Sequence, residues 1–224
     1  MVFQLRYGAA VDLTHTVEEG MTTYVGDPVP RVRRVKRLET DGVNVSELTL
    51  GSHTGTHVDA PIHFVPGGAS VDLLPPEQCV GEAVVIDLSS KPQGSEITKD
   101  DLQGSSLIDR EGLIVLLYTG MSKRWGDDSA RTRFTYLSPA AAEWLVQRKA
   151  KTVGIDYLSV EKYGSKEAPA HKALLSGGVA IIESLNENLS KFCGKRILLV
   201  CLPLKIGRCD GGPARVLAYP LEES

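Results

Sequence analysis

The chain has 224 residues, of which 42% are hydrophobic and 24% charged. Those fractions exclude a disordered chain, a collagen and a coiled coil, and the length suits a single domain over residues 1–224. The 25 Lys and Arg against 28 Asp and Glu leave a formal charge of −3. That balance gives no bulk attraction to nucleic acid or to an anionic membrane.

No apolar run reaches the ~18 residues of a membrane helix. The opening MVFQLRYGAAVDLTH lacks the charged-then-apolar build of a secretory signal. The four cysteines form no C-x-x-C pair and read as reduced thiols of a cytoplasmic protein.

The front half reads as strands. Residues 32–38 and 44–50 suit an antiparallel pair that turns at Asp41-Gly42. The cations Arg31, Arg33, Arg34, Lys36 and Arg37 in that stretch read as a solvated strand face. Residues 51–68 hold too many Gly, Thr and Pro residues for a helix interior. A buried strand is expected over 82–88, and Thr98 to Asp101 reads as a capping box opening a short helix.

The back half alternates. Residues 113–118 form an apolar run of strand length, and Ser138-Pro139 is an N-cap followed by proline at the first helical position. Strands follow at 152–156, 179–183, 197–202 and 214–219, with a short helix at 168–176 stopped by Gly177-Gly178. The fold class is α/β, a mixed β-sheet with few helices. No Walker, Rossmann or G-x-S-x-G pattern is present.

The chemistry is concentrated in one segment. Of five histidines, His53, His57 and His63 fall within eleven residues, with Asp59 among them. Positions 53, 57, 59 and 63 share parity, so an extended chain points them to one face. His57 and Asp59 would then lie ~7 Å apart at Cα, and His53 ~13 Å from His57 unless the chain bends. Gly55 is the expected bend. Pro61 ends regular pairing and leaves His63 on a loop beside the cluster. Two imidazoles and a carboxylate with open positions suit zinc, manganese or iron(II) in a catalytic site.

The segment His53-Thr54-Gly55-Thr56-His57-Val58-Asp59-Ala60-Pro61-Ile62-His63 resembles the H-x-G-T-H-x-D-x-P-x-H motif of the cyclase family of metal-dependent hydrolases. That family includes bacterial-type kynurenine formamidases and isatin hydrolases. Thr22 to Pro28, Gly154 to Ser159 and Asp210 to Arg215 resemble further family segments in the same order.

The resemblance implies a swivelling β/β/α-type fold, a homodimer or homotetramer, and two divalent ions, zinc or manganese. It places His53, His57 and Asp59 on one ion, and Asp59, His171 and Glu183 on the second. His63 takes the place of a proton-shuttling histidine, and Tyr24 that of an aromatic that stacks on substrate. The implied activity is hydrolysis of an aryl formamide such as N-formylkynurenine, as in tryptophan catabolism. The alternatives are hydrolysis of a cyclic amide, imide or lactone, and a metal-binding module without activity. Tyr24 and Val25 stand where formamidases carry Trp and Pro.

Overall fold

The structure, a computed structural model, describes residues 10–221. The reading of the opening stretch as a non-signal falls largely on residues 1–9, outside the described residues. The strands are β1 (Val11–Asp12), β2 (Arg31–Lys36), β3 (Val45–Thr49), β4 (His57–Asp59), β5 (Val80–Asp87), β6 (Glu96–Ile97), β7 (Ile114–Tyr118), β8 (Tyr136–Leu137), β9 (Thr152–Ile155), β10 (Ala180–Glu183), β11 (Arg196–Pro203) and β12 (Gly211–Pro220). The helices are α1 (Leu38–Asp41), α2 (Pro76–Cys79), α3 (Lys99–Gln103), α4 (Pro139–Gln147) and α5 (Pro169–Ser176).

Eight strands form the main sheet in the order β1-β12-β11-β5-β7-β9-β10-β4, and β4 also pairs with β12. The sheet therefore closes on itself like a barrel. The run β5-β7-β9-β10 is parallel and the other pairings are antiparallel. Parallel neighbours need crossover connections, and α3, α4 and α5 lie on the three that this run requires. The expected mixed sheet with few helices is borne out.

The buried strands separate two cores by their alternation. Val84, Ile86, Val115, Leu117, Val153, Ile155 and Ile181 pack toward α3, α4 and α5. Ala83, Val85, Ile114, Leu116, Ile182, Leu199 and Val216 fill the other face. Burial on both faces is why 113–118 is apolar throughout. The helix starts follow the expected chemistry. Thr98 accepts from the Asp101 amide while its own amide donates to the Asp101 carboxylate, and Ser138 accepts from the Ala141 amide.

One expected turn is different. The β2–β3 pair is joined by α1, a single helical turn closed by Gly42 at φ 70°. The Asp41 carboxylate accepts from the Arg37 amide at 2.8 Å and favours that turn over a two-residue hairpin loop. The hairpin also projects from the rest of the fold. All residues of β2 and β3 are exposed, Val32, Val35, Val45 and Leu48 included.

Candidate metal centre

The site is built at the junction of β4 and β10. In their antiparallel register Glu183 opposes His57 and Ile181 opposes Asp59. Opposed residues point to one face, and Ile181 belongs to the helix-side core. His57, Asp59 and Glu183 therefore share the face that α5 covers. Val58, between them in sequence, packs into the other core.

The expected bend is present. Gly55 has φ +62°, and a Cβ there would lie 2.8 Å from Met21 Cε. Thr56 fixes the next step by donating to the Ser184 carbonyl at 2.5 Å and accepting from the His15 amide at 2.9 Å. The bend returns His53 to the cluster, with its Nδ1 2.7 Å from Asp59 Oδ1. Gly211 of β12 leaves room for that ring, since a Cβ there would sit 2.9 Å from His53 Cε1.

His171 enters from the first turn of α5, and its Nε2 lies 3.5 Å from Asp59 Oδ2 and 3.2 Å from Glu183 Oε1. The residue before this helix, Ala168, adopts φ 43°, and Ser184 after Glu183 adopts φ 58°. Both are left-handed conformations that are rare for residues with a Cβ and that concentrate at working sites. His63 lies on a 3-10 turn, Pro61–His63. His63 has a ligand atom near those of Asp59 and His171, and in a second grouping near those of His53 and Asp210.

The donor set fits a cation. His57 Nδ1 lies 2.7 Å from the Gly55 carbonyl. A carbonyl can only accept, so Nδ1 carries a proton and Nε2 is the nitrogen turned toward the carboxylates. His57 Nε2 faces Asp59 Oδ1 at 3.3 Å and Glu183 Oε2 at 3.7 Å. His57 Nε2 and Asp59 Oδ2 are buried without a hydrogen-bond partner. Buried carboxylates that converge on one point are costly unless a positive centre joins them.

The electrostatics agree. Burial pushes the His53 pKa down, but Asp59 and Asp210 outweigh it and carry it up to about 10. His171 moves well above the usual imidazole range against its burial, through Asp59, Glu161 and Glu183. Asp59 resists the upward push of burial and falls well below the carboxylate range beside His53, His171 and His57. A field that holds protons on two buried imidazoles attracts a divalent ion in their place.

Two carboxylates absent from the expected site join it. Asp210 lies 3.0 Å from His53 Nε2 and 3.4 Å from His63 Nδ1. Glu161 accepts from the Ala170 and His171 amides and lies 3.8 Å from His171 Nδ1. Asp210 falls within a segment that resembles the family, but nothing in its local spacing marks it. Glu161 is brought to His171 by the tertiary path of the loop between β9 and α5.

A cavity of about 200 Å³ opens over these groups. Tyr24, Phe64 and Leu158 give it apolar wall, while Asp27, Lys162 and Ser165 add polar groups. Tyr24 stands 5.6 Å from Tyr163, ring centre to ring centre. The loop after Thr119 backs this wall, as the Gly126 amide donates to Thr22 Oγ1 at 2.9 Å and Arg131 donates to the Thr23 carbonyl. Asp156 ties the same loop to β9 by accepting from Thr119 and Ser122. His15 stacks on Trp125 with centroids 3.7 Å apart.

Fold and site together define a mixed-sheet α/β protein with a buried histidine–carboxylate cluster under a small cavity. The chain belongs to the cyclase family. The family's sequence model, described as "Putative cyclase", matches residues 11–162. The chain is 35% identical over 211 residues to a kynurenine formamidase of Geobacillus thermodenitrificans, covering 92% of this chain and 94% of that one. It superposes on isatin hydrolase A of Ralstonia solanacearum with TM-score 0.82 at 28% identity, covering 93% and 90% of the two chains. An isatin hydrolase bound to the product analogue thioisatinate gives TM-score 0.86 at 25% identity, covering 95% and 92%.

Proposed function

We propose that this protein is a metal-dependent amide hydrolase acting on an aryl formamide, with N-formylkynurenine as the leading substrate. The observation that carries the reading is the convergence of His57 Nε2 with the buried carboxylates of Asp59 and Glu183. His53, His57 and Asp59 would hold one divalent ion, and Asp59, His171 and Glu183 a second, each zinc or manganese. Such ions polarise a carbonyl and make water nucleophilic at neutral pH.

The chain's own groups do the rest. Tyr24 stacks on the substrate ring. His63, within reach of the cluster on its 3-10 turn, takes a proton from the attacking water and returns it to the leaving nitrogen. An aniline leaves more readily than an alkylamine, which favours an aryl amide.

The likeness to isatin hydrolases supports a second reading, hydrolysis of a cyclic amide, imide or lactone by the same groups. We also propose a homodimer or homotetramer, because the exposed β2–β3 hairpin carries Val32, Val35 and Leu48 into solvent. A two-stranded hairpin is marginal on its own. The four free thiols support a cytoplasmic setting. Among the described residues, no helix is long and apolar enough to cross a membrane.

The test is N-formylkynurenine hydrolysis by enzyme stripped with chelator and refilled separately with zinc or manganese. Turnover restored above a kcat/KM of ~10⁴ M⁻¹s⁻¹ supports the formamidase reading. Metal-loaded but inactive enzyme overturns it, and turnover of isatin in its place establishes the second.

A further inference from the structure

Asp210 is a carboxylate to which the hydrolytic reading gives no role. Its Oδ2 lies 3.0 Å from His53 Nε2 and 3.4 Å from His63 Nδ1. A carboxylate only accepts, so both imidazoles turn an N–H to the same oxygen. The two rings pack on each other with centroids 4.1 Å apart and planes tilted by 34°. His63 also meets the Phe64 ring edge-on at 4.3 Å. The backbone holds the carboxylate in place. The Asp210 carbonyl accepts from the Ala60 amide and the Cys209 carbonyl from the Val71 amide, each at 2.9 Å. Ala60 and Val71 bracket the segment that carries His63, so Asp210 is fixed to the same frame as the ring that it faces.

The contact has different consequences for the two rings. His53 Nδ1 faces Asp59 Oδ1 at 2.7 Å, so Nδ1 is the nitrogen turned to the proposed ion ligands. Asp210 keeps a proton on the opposite nitrogen, the pairing by which a carboxylate orients an imidazole ligand. At His63 the same oxygen draws the proton to Nδ1, which leaves Nε2 as the base of the neutral ring. The 3.4 Å separation is long for a hydrogen bond, as catalytic contacts often are before substrate binds.

Resting on the amide-hydrolase reading of this site, we infer that Asp210 is a positioning residue that fixes the tautomer of the shuttle His63 and at the same time orients the metal ligand His53. It acts through these two rings and takes no part in bond cleavage. A single oxygen thereby holds the proton carrier in register with a ligand of the cluster that it serves. The competing arrangement is an ion held by His53, His63 and Asp210 themselves, whose ligand atoms are close enough together to share one.

Two experiments on zinc-loaded enzyme test this with Asp210→Asn, a change of charge at nearly constant shape. The first follows formanilide hydrolysis at saturating zinc. The substitution should lower kcat about 10²-fold with KM little changed. In a His63→Ala background it should cost little more, because residues that act as a unit are not additive. An equal loss in both backgrounds overturns the inference. Hydrolysis of no formamide overturns the functional reading instead, and the second experiment then still decides Asp210. Long-range proton–nitrogen NMR spectra of the zinc-loaded chain should show neutral His63 with its proton on Nδ1, a preference that Asp210→Asn removes. Chelator competition should show zinc held roughly 10–100-fold more weakly in the variant. A His63 tautomer that the substitution leaves unchanged overturns the inference. So does the disappearance of a bound ion at saturating zinc, which makes Asp210 a ligand.

Discussion

Glu183 and His57 stand directly opposite each other across the β10–β4 ladder, with Glu183 Oε2 3.7 Å from Nε2 of His57. The pair is buried and too far apart for a hydrogen bond, a separation that a cation between them would fill. Glu183→Gln keeps an oxygen for the Val160 amide, which now donates to Oε1 at 2.8 Å, but removes the charge. Metal affinity should fall by more than the roughly 10–100-fold that outer-shell partners command. Elemental analysis after dialysis against a weak chelator reads this directly. Full retention of metal removes Glu183 from the ligand set.

Glu161 makes a separable prediction. Its carboxylate caps the first amides of α5 and faces His171 Nδ1, so it orients the ring whose Nε2 faces the cluster. Burial raises its pKa, but the His171 ring and amide outweigh that and hold it below the usual glutamate value. Glu161→Gln can still accept the helix amides and should fold normally. It should nevertheless bind metal roughly 10–100-fold more weakly. Competition against a chromogenic chelator measures the loss, and circular dichroism checks that α5 is retained.

What the sequence disclosed follows from how local each signal is. The bend at Gly55 was readable because parity alone kept His53 too far from His57, and glycine is the residue that tolerates φ near +62°. Glu183 closes the apolar strand expected over 179–183, where a buried charge is costly unless paired. Asp210 and Glu161 were not readable as site residues. Asp210 reaches His53 across 157 positions, through the β4–β12 pairing that closes the sheet. The β2–β3 hairpin shows the opposite failure. Its cations were expected to form one solvated strand face, yet both of its faces are exposed.

Gly211 tests that long-range closure. It opposes Asp59 in the β12–β4 ladder, and a Cβ there would lie 2.9 Å from both His53 Cε1 and the Val58 carbonyl. Neither the ring nor the strand can yield without disturbing the cluster. Gly211→Ala should cost about 1–3 kcal/mol of stability through overpacking and should weaken metal binding as His53 is displaced. Denaturant melts with and without added metal separate the two effects. A variant that matches the native chain in both shows that β12 moves freely past His53.

His63 carries the last prediction, because its position allows two roles. It lies near Asp59 and His171, where a ligand would also fit, and near Asp210, where a shuttle would be oriented. Burial lowers its pKa, Asp59 pulls it up, and His53 and His171 push it down, with a net shift below the usual 6.5. Bound cations would push it further down. As pH falls, protonation removes the base that takes the water's proton. The sign is therefore a loss of kcat/KM on the acid side, with a midpoint below 6.5 and a plateau above it. His63→Ala should lower kcat by roughly 10²–10⁴-fold and erase that limb while metal content stays at the native level. Loss of an ion in step with activity makes His63 a ligand, since a shuttle gives up its proton without releasing the metal beside it.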